Sequence, residues 1–311
     1  MIELLSLWGL VPARPRTDLF LPGSPERCVQ RMAVEDADGR TWMIERLRPG
    51  QSDRRERIGR ALHLLAEAGL PVPAYLPGPD NRFAPERDGH AYQLSPYVPG
   101  DPLPRPEFVE HADRGANLGR FLAALRRESR SVAGFDTEPE LALEDYVNEL
   151  IGTVRTRHPG IHRELKNVLP ALAPLFEAWP HLPRAFCQGD FHPLNVIWRG
   201  TGVAAVIDWE FAGVRPALFD AANCLGCVGI EDPPALVRGL APALLRELKD
   251  SGCLDPDSFA LLPELLLALR FAWMSEWLRR RDIEMIGLEL RYMRLLANSL
   301  DTLLPAWRNS I

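Results

Sequence analysis

The chain has 311 residues, 46% of them apolar and 25% charged, with a net charge of −6. That length can bury a large core, in one bilobal unit or two domains, and the negative balance argues against a nucleic-acid partner. Arginine clusters such as Arg54-Arg55 and Arg279-Arg280-Arg281 read as solvated helix faces.

From the N-terminus, MIELLSLWGLV is apolar but short, carries Glu3 and has no basic lead. It reads as a short amphipathic helix within residues 1–16, ending before Pro12 and Pro15, and not as a signal peptide. Residues 17–47 turn to strand patterning, with Asp36-Ala37-Asp38-Gly39 as a turn between strands at 28–35 and 40–47. A helix over 53–68 stops at Leu70-Pro71-Val72-Pro73, since proline cannot continue it. Residues 78–90 form a polar connection into a strand at 90–94. Apolar spacing then predicts helices at 107–127, 141–155, 161–179, 234–250, 258–280 and 282–304. The apolar stretch at 261–269 is interrupted by Glu264, so no membrane span is expected. Five cysteines, odd and sparse, fit reduced thiols in a cytoplasm. Cys224 and Cys227 form a CxxC with no second pair and read as small residues on a buried helix face.

The chemistry concentrates in FCQGDFHPLNVIWRGTGVAAVIDWEFAGVRPALFD, residues 186–220. Two apolar runs, 195–198 and 203–207, are joined by Arg199-Gly200-Thr201-Gly202, which has the length and glycine content of a hairpin turn. Pairing them gathers Asp190, Asn195 and Asp208 in a small volume. A loop carboxylate, an amide and a second carboxylate suit phosphoryl transfer, with Asp190 accepting a hydroxyl proton and Asn195 and Asp208 holding Mg²⁺ on ATP phosphates.

QGDFHPLN followed by VIDWEFAG resembles the catalytic and metal-binding segments of the aminoglycoside phosphotransferase and choline kinase family, which includes type II homoserine kinases. The resemblance implies an α+β, protein-kinase-like bilobal fold. A small antiparallel-sheet lobe (residues 1–97) would bind nucleotide, and a larger, mainly helical lobe (98–311) would carry the catalytic loop and the substrate pocket. It also implies ATP, with GTP as an alternative, Mg²⁺, and a small-molecule acceptor such as an amino alcohol, amino acid, sugar or aminoglycoside. Gln188 stands where the family usually has histidine, a position that supports the loop and at which glutamine still makes two hydrogen bonds. Asp220 matches a position that braces the same loop.

In the remaining family positions the match is thinner. The segment 21–25, with Ser24, falls where the phosphate-covering loop is expected, but one glycine and two prolines suit an ordinary turn equally. The strand at 42–47 should present a lysine to the α- and β-phosphates, and Glu45 occupies that place. Arg46 would face the other side of a regular strand and reach the site only through a bulge. Arg57 or Ile58 aligns with the lysine's acidic partner, leaving either an inverted Glu45–Arg57 pair or two exposed charges. Ser95-Pro96-Tyr97-Val98-Pro99-Gly100 matches the link between lobes, where the Pro96 carbonyl and Val98 amide would meet the base. Candidates for the acceptor pocket are His192, Trp209, Glu210, Glu231, Asp232, Trp273, Glu276 and Trp277, with Trp273 and Trp277 equally suited to a helix core face. The alternative function is a nucleotide-binding pseudokinase, regulatory or scaffolding, supported by the missing lysine and the thin loop.

Overall fold

The computed structural model describes residues 1–21, 23, 27–135 and 142–311. Residues Ile2–Trp8 form a 3-10 helix that closes at Gly9, which takes φ 69°. The helix expected there therefore ends earlier, and β1 (Pro12–Pro15) follows as a strand. Two prolines are tolerated in it because it lies at the edge of the sheet, where a missing N–H breaks no ladder. β2 (Gln30–Asp36) and β3 (Thr41–Arg46) pair antiparallel in unbroken register. Their turn is organised by the Asp36 carboxylate, which accepts from the Asp38 and Arg40 amides and from the Trp42 indole at 2.7–3.0 Å.

After α1 (Ser52–Glu67) come β4 (Glu86–Arg87) and β5 (His90–Pro96), completing an antiparallel sheet in the order β1-β2-β3-β5-β4. The N-terminal turn covers one face through Leu5, Val34, Trp42, Ile44 and Leu94. Side-chain alternation sends Met43 and Glu45 to the opposite face.

The second lobe is helical: α2 (Ala112–Glu128), α3 (Leu143–Arg157), α4 (Pro159–Lys166) and α5 (Ala173–Ala178). The helix expected over 161–179 is broken, with Pro170 and Pro174 opening a 3-10 turn and α5 respectively. Four short strands carry the site: β6 (Arg184–Cys187), β7 (Val196–Arg199), β8 (Gly202–Val206) and β9 (Gly213–Pro216). β7 pairs with β8 through the expected hairpin, and β6 pairs with β9. The chain then runs through α6 (Phe219–Glu231), α7 (Leu240–Asp250), α8 (Pro256–Ala260), α9 (Leu262–Arg280), α10 (Ile283–Ala297) and α11 (Leu300–Ser310). One continuous apolar core joins most of these helices to α1. No helix among the described residues is long and apolar enough to cross a membrane.

Between the lobes the Tyr97 amide donates to the Thr41 carbonyl and the Asp101 amide to the Trp198 carbonyl, at 2.9 and 2.8 Å. The Asp101 carboxylate accepts from the Gly200 amide at 2.7 Å. The link is thereby stitched to β3 on one side and to the β7–β8 hairpin on the other.

Candidate active site

The Ile207 amide donates to the Asn195 carbonyl at 2.9 Å, extending the hairpin ladder. Asn195 is thus set beside the chain that leads into Asp208. Asp208 has φ 58° and ψ 59°, a left-handed conformation uncommon for a side-chain-bearing residue and tolerated best by Asp and Asn. Such backbone persists only where its surroundings hold it, and here Gln188 does so. The Gln188 amide nitrogen donates to the carbonyls of Ile207 and Asp208 at 2.9 and 2.6 Å, while its oxygen accepts from the Asp190 amide at 2.7 Å. One buried side chain couples the Asp190 loop to the Asp208 segment.

Asp220, at the start of α6, accepts from the Gln188 and Gly189 amides at 2.7 and 2.9 Å. Burial pushes its carboxyl up to about 6 despite those two bonds. Gly189 takes φ 89°, and a Cβ there would meet the Phe211 carbonyl oxygen at 2.1 Å, so glycine is required for this turn.

The Asp190 carboxylate faces the cleft and is held from several sides. Asn195 donates its amide nitrogen to the Asp190 carbonyl at 2.9 Å and to Oδ2 at 3.0 Å, and Asn223 donates to Oδ1 at 3.3 Å. His192 Nε2 lies 3.5 Å from Oδ2. The His192 ring is buried edge-on against Trp273, 5.7 Å between centroids. His192 therefore buttresses the loop. Asn223 was not anticipated, although a residue three positions after Asp220 shares its helix face.

The donor set fits magnesium. Asn195 commits its nitrogen to Asp190, leaving the amide oxygen as the atom it would give a cation, and Asp208 supplies a carboxylate. Both are hard oxygen donors, and Mg²⁺ is commonly held by one or two protein groups with phosphates and water completing the shell. Among the described residues no cluster of three or more His, Cys, Asp or Glu is arranged for a metal, and a magnesium site of this kind needs none. Cys224 and Cys227 are buried, and burial pushes both thiols up, Cys227 to about 12.

On the opposite wall of the cleft the structure departs from the expected charges. Glu45 is buried on β3, and its partner is Arg27, not Arg57. The Arg27 guanidinium bonds Glu45 at 2.5 and 2.8 Å and also contacts the Asp208 carboxylate. Tyr75 adds a bond to the other Glu45 oxygen at 3.2 Å. Burial opposes the Glu45 charge, but the Arg27 and Arg55 guanidinium groups outweigh it and hold the carboxyl below its usual range. Register on β3 is unbroken, so Arg46 falls on the other face and no bulge brings it to the site. Arg55 bonds Glu210 and the Arg27 carbonyl, each at 2.8 Å. Arg54 donates to the carbonyls of Glu210 and Ala212. Glu210 is therefore part of a bridge between lobes, and burial raises its carboxyl despite Arg55. The signal for such a pairing was Glu45 itself, since an acid on an otherwise apolar strand needs a buried cation.

Arg27, Arg54, Arg55 and Glu210 line, with Asp190, Asn195 and Asp208, a cleft of about 910 Å³ that is also lined by Tyr146, Asn223, Trp273, Glu276, Arg279 and Arg280. Trp209 lies in the core with its indole on the Val206 carbonyl, and Glu231 and Asp232 pair with Arg105 and Arg238. Those three candidates leave the pocket. Trp277 bonds Glu289, while Trp273 reaches the cleft. Pro96 ends β5, and Val98 packs on Ile197, Ala205 and Ile207 near the link. Ser24 lies outside the described residues.

The profile of the family described as "Phosphotransferase enzyme family" matches residues 29–258. The chain belongs to this family. A homoserine kinase from Beijerinckia indica is 31% identical over 197 residues, spanning 61% of this chain and 61% of that relative's length. Among solved structures, amicoumacin kinase hAmiN in complex with AMP-PNP, Ca²⁺ and Ami superposes with a TM-score of 0.64 at 13% identity, covering 91% of this chain and 92% of that one. Choline kinase LicA from Streptococcus pneumoniae gives a TM-score of 0.62 at 13% identity, covering 96% of each. At such identities the two structures speak for the fold, which is the bilobal kinase-like fold expected from the sequence.

Proposed function

We propose that the protein transfers the terminal phosphoryl group of ATP, with magnesium, to the hydroxyl of a small acceptor carrying an amino group. The observation that carries this reading is the convergence of Asp190, Asn195 and Asp208 on one cleft, with Asp190 oriented by Asn195 and Asn223. Asn195 and Asp208 would hold the ion. When bound, magnesium neutralises phosphate charge and orients the terminal phosphoryl group. Asp190 would accept the acceptor's proton as its oxygen attacks the γ-phosphorus. The bond to the bridging oxygen breaks and ADP leaves. Most of the catalysis is positioning and electrostatics. The Pro96 carbonyl and Val98 amide are proposed to meet the base.

Homoserine is the first acceptor to test. The curated relative named above is a homoserine kinase, and the cleft lining sets Glu276 beside Arg279 and Arg280, at 2.5–2.7 Å. Both signs of charge in a cleft that Trp273 also lines suit a zwitterion with an aliphatic hydroxyl arm. The pseudokinase alternative finds no support among relatives named as kinases and phosphotransferases. Five unpaired cysteines fit a cytoplasmic setting.

The test is ADP release with Mg–ATP or Mg–GTP against homoserine, choline, ethanolamine and an aminoglycoside. Acceptor-dependent turnover that Asp190→Asn lowers by about two to four orders of magnitude supports the reading. Acceptor-independent release alone would refute it.

A further inference from the structure

Glu45 stands on β3 where a cation toward the phosphates was expected, and the guanidinium that answers it belongs to Arg27, just ahead of β2 and outside the matched residues 29–258. We propose that Arg27 is the cation this site presents to the nucleotide phosphates, delivered from the loop preceding β2 instead of from β3. The assignment rests on the phosphotransferase reading above.

Arg27 is 10% exposed, lines the cleft, and reaches from Glu45, buried on β3, to Asp208, which also lines the cleft. Asp208 is the carboxylate assigned to the ion, so any phosphate sharing that ion lies within reach of the same guanidinium.

Arg46 faces away on an unbroken strand. Arg55 is engaged by Glu210 and by the Arg27 carbonyl, and Arg54 by the carbonyls of Glu210 and Ala212. Among the contacts of the described residues, those joining Glu45 to Asp208 are made by Arg27.

A planar guanidinium presents donors along more than one edge. Glu45, itself bonded by Tyr75, fixes one edge and directs another toward Asp208. The acid sits on the strand and the base on the loop. The loop backbone also lies against Asp208, since a Cβ on Gly23 would meet its Oδ1 at 2.5 Å.

A permanent clip between lobes would use the same contacts, and binding selectivity separates the two roles. Mg–AMP-PNP, Mg–ADP and adenosine are titrated into the full-length wild type, Arg27→Ala and Arg27→Ala/Glu45→Gln. The double variant removes both members of the buried pair, so that no unpaired carboxylate is left to unfold the lobe. Loss of a charge-assisted contact to phosphate should weaken AMP-PNP and ADP about ten- to a hundredfold in both variants, with adenosine within about twofold of wild type. Phosphate-bearing ligands held within about threefold of wild type, or adenosine weakened in proportion to AMP-PNP in the double variant, would overturn the assignment alone. A wild type that binds neither Mg–AMP-PNP nor the corresponding guanosine analogue would overturn the phosphotransferase reading and this assignment with it.

Discussion

The side-chain amide of Gln188 donates to the backbone carbonyl of Asp208 at 2.6 Å, across 20 residues of sequence. Its oxygen meanwhile holds the Asp190 amide, so the residue bearing the proposed base and the residue bearing the proposed metal ligand share one brace. Gln188→Ala should leave two buried carbonyls and one amide without partners, destabilising the fold by about 1–3 kcal/mol. Gln188→Glu should be worse, because a carboxylate cannot donate to either carbonyl. Denaturant unfolding of the two variants checks the ranking.

Asp220 gives the site a pH dependence. Its carboxyl is raised to about 6 from an ordinary 3.8, so the native state binds its proton more tightly than the unfolded chain does. Its contribution to stability is therefore fully present below about pH 4 and lost as pH rises through about 6. The change is on the order of 3 kcal/mol. Asp220→Asn should flatten that part of the stability–pH curve, measured by urea unfolding between pH 4 and 7. In the wild type, activity should fall below about pH 6, as the protonated acid braces the Gln188 and Gly189 amides less strongly.

Asn223 bridges the site, donating to Asp190 at 3.3 Å and accepting from the Trp273 indole at 3.4 Å. Asn223→Asp would set a second carboxylate beside the base. The like charge should move the acid limb of the kcat/KM profile to higher pH. Asn223→Ala should lower kcat without moving that limb. A pH–rate profile of both variants separates electrostatic from positional effects.

The wall that carries Trp273 depends on a buried ion pair. Arg270 on α9 and Glu289 on α10 form two bonds of 2.6 Å, and Trp277 adds a third to Glu289 at 3.2 Å. Glu289→Ala should destabilise the protein by about 3–5 kcal/mol by stranding a buried guanidinium. Arg270→Met/Glu289→Leu should recover much of that loss. Thermal or chemical unfolding of the single and double variants tests this.

What the sequence made legible was local. Asp190, Asn195 and Asp208 lie within one hairpin and its flanks, so turn chemistry alone brings them together. Asp220 and Gln188 were located by the family pattern, and their roles as braces agree with the hydrogen bonds around them. Arg27 was not legible, because it meets Asp208 across 181 residues of sequence and through a loop whose path no periodicity specifies. Glu45 announced that some cation must come to it, but several nearby arginines were equally eligible. Helix existence was read well and helix breaks poorly. Gly239 and Leu261, which interrupt the helices expected at 234–250 and 258–280, are modest signals beside strong apolar spacing.

The central claim is transfer of a phosphoryl group to a small-molecule hydroxyl by the Asp190 site. Phosphorus NMR of the wild-type chain with ATP, Mg²⁺ and each acceptor in turn tests it most directly. A new phosphomonoester signal should grow with one acceptor, homoserine first, in step with ADP and without inorganic phosphate, and should be nearly absent with Asp190→Asn. Inorganic phosphate as the only new signal with every acceptor, or an ester formed equally fast by Asp190→Asn, would contradict it.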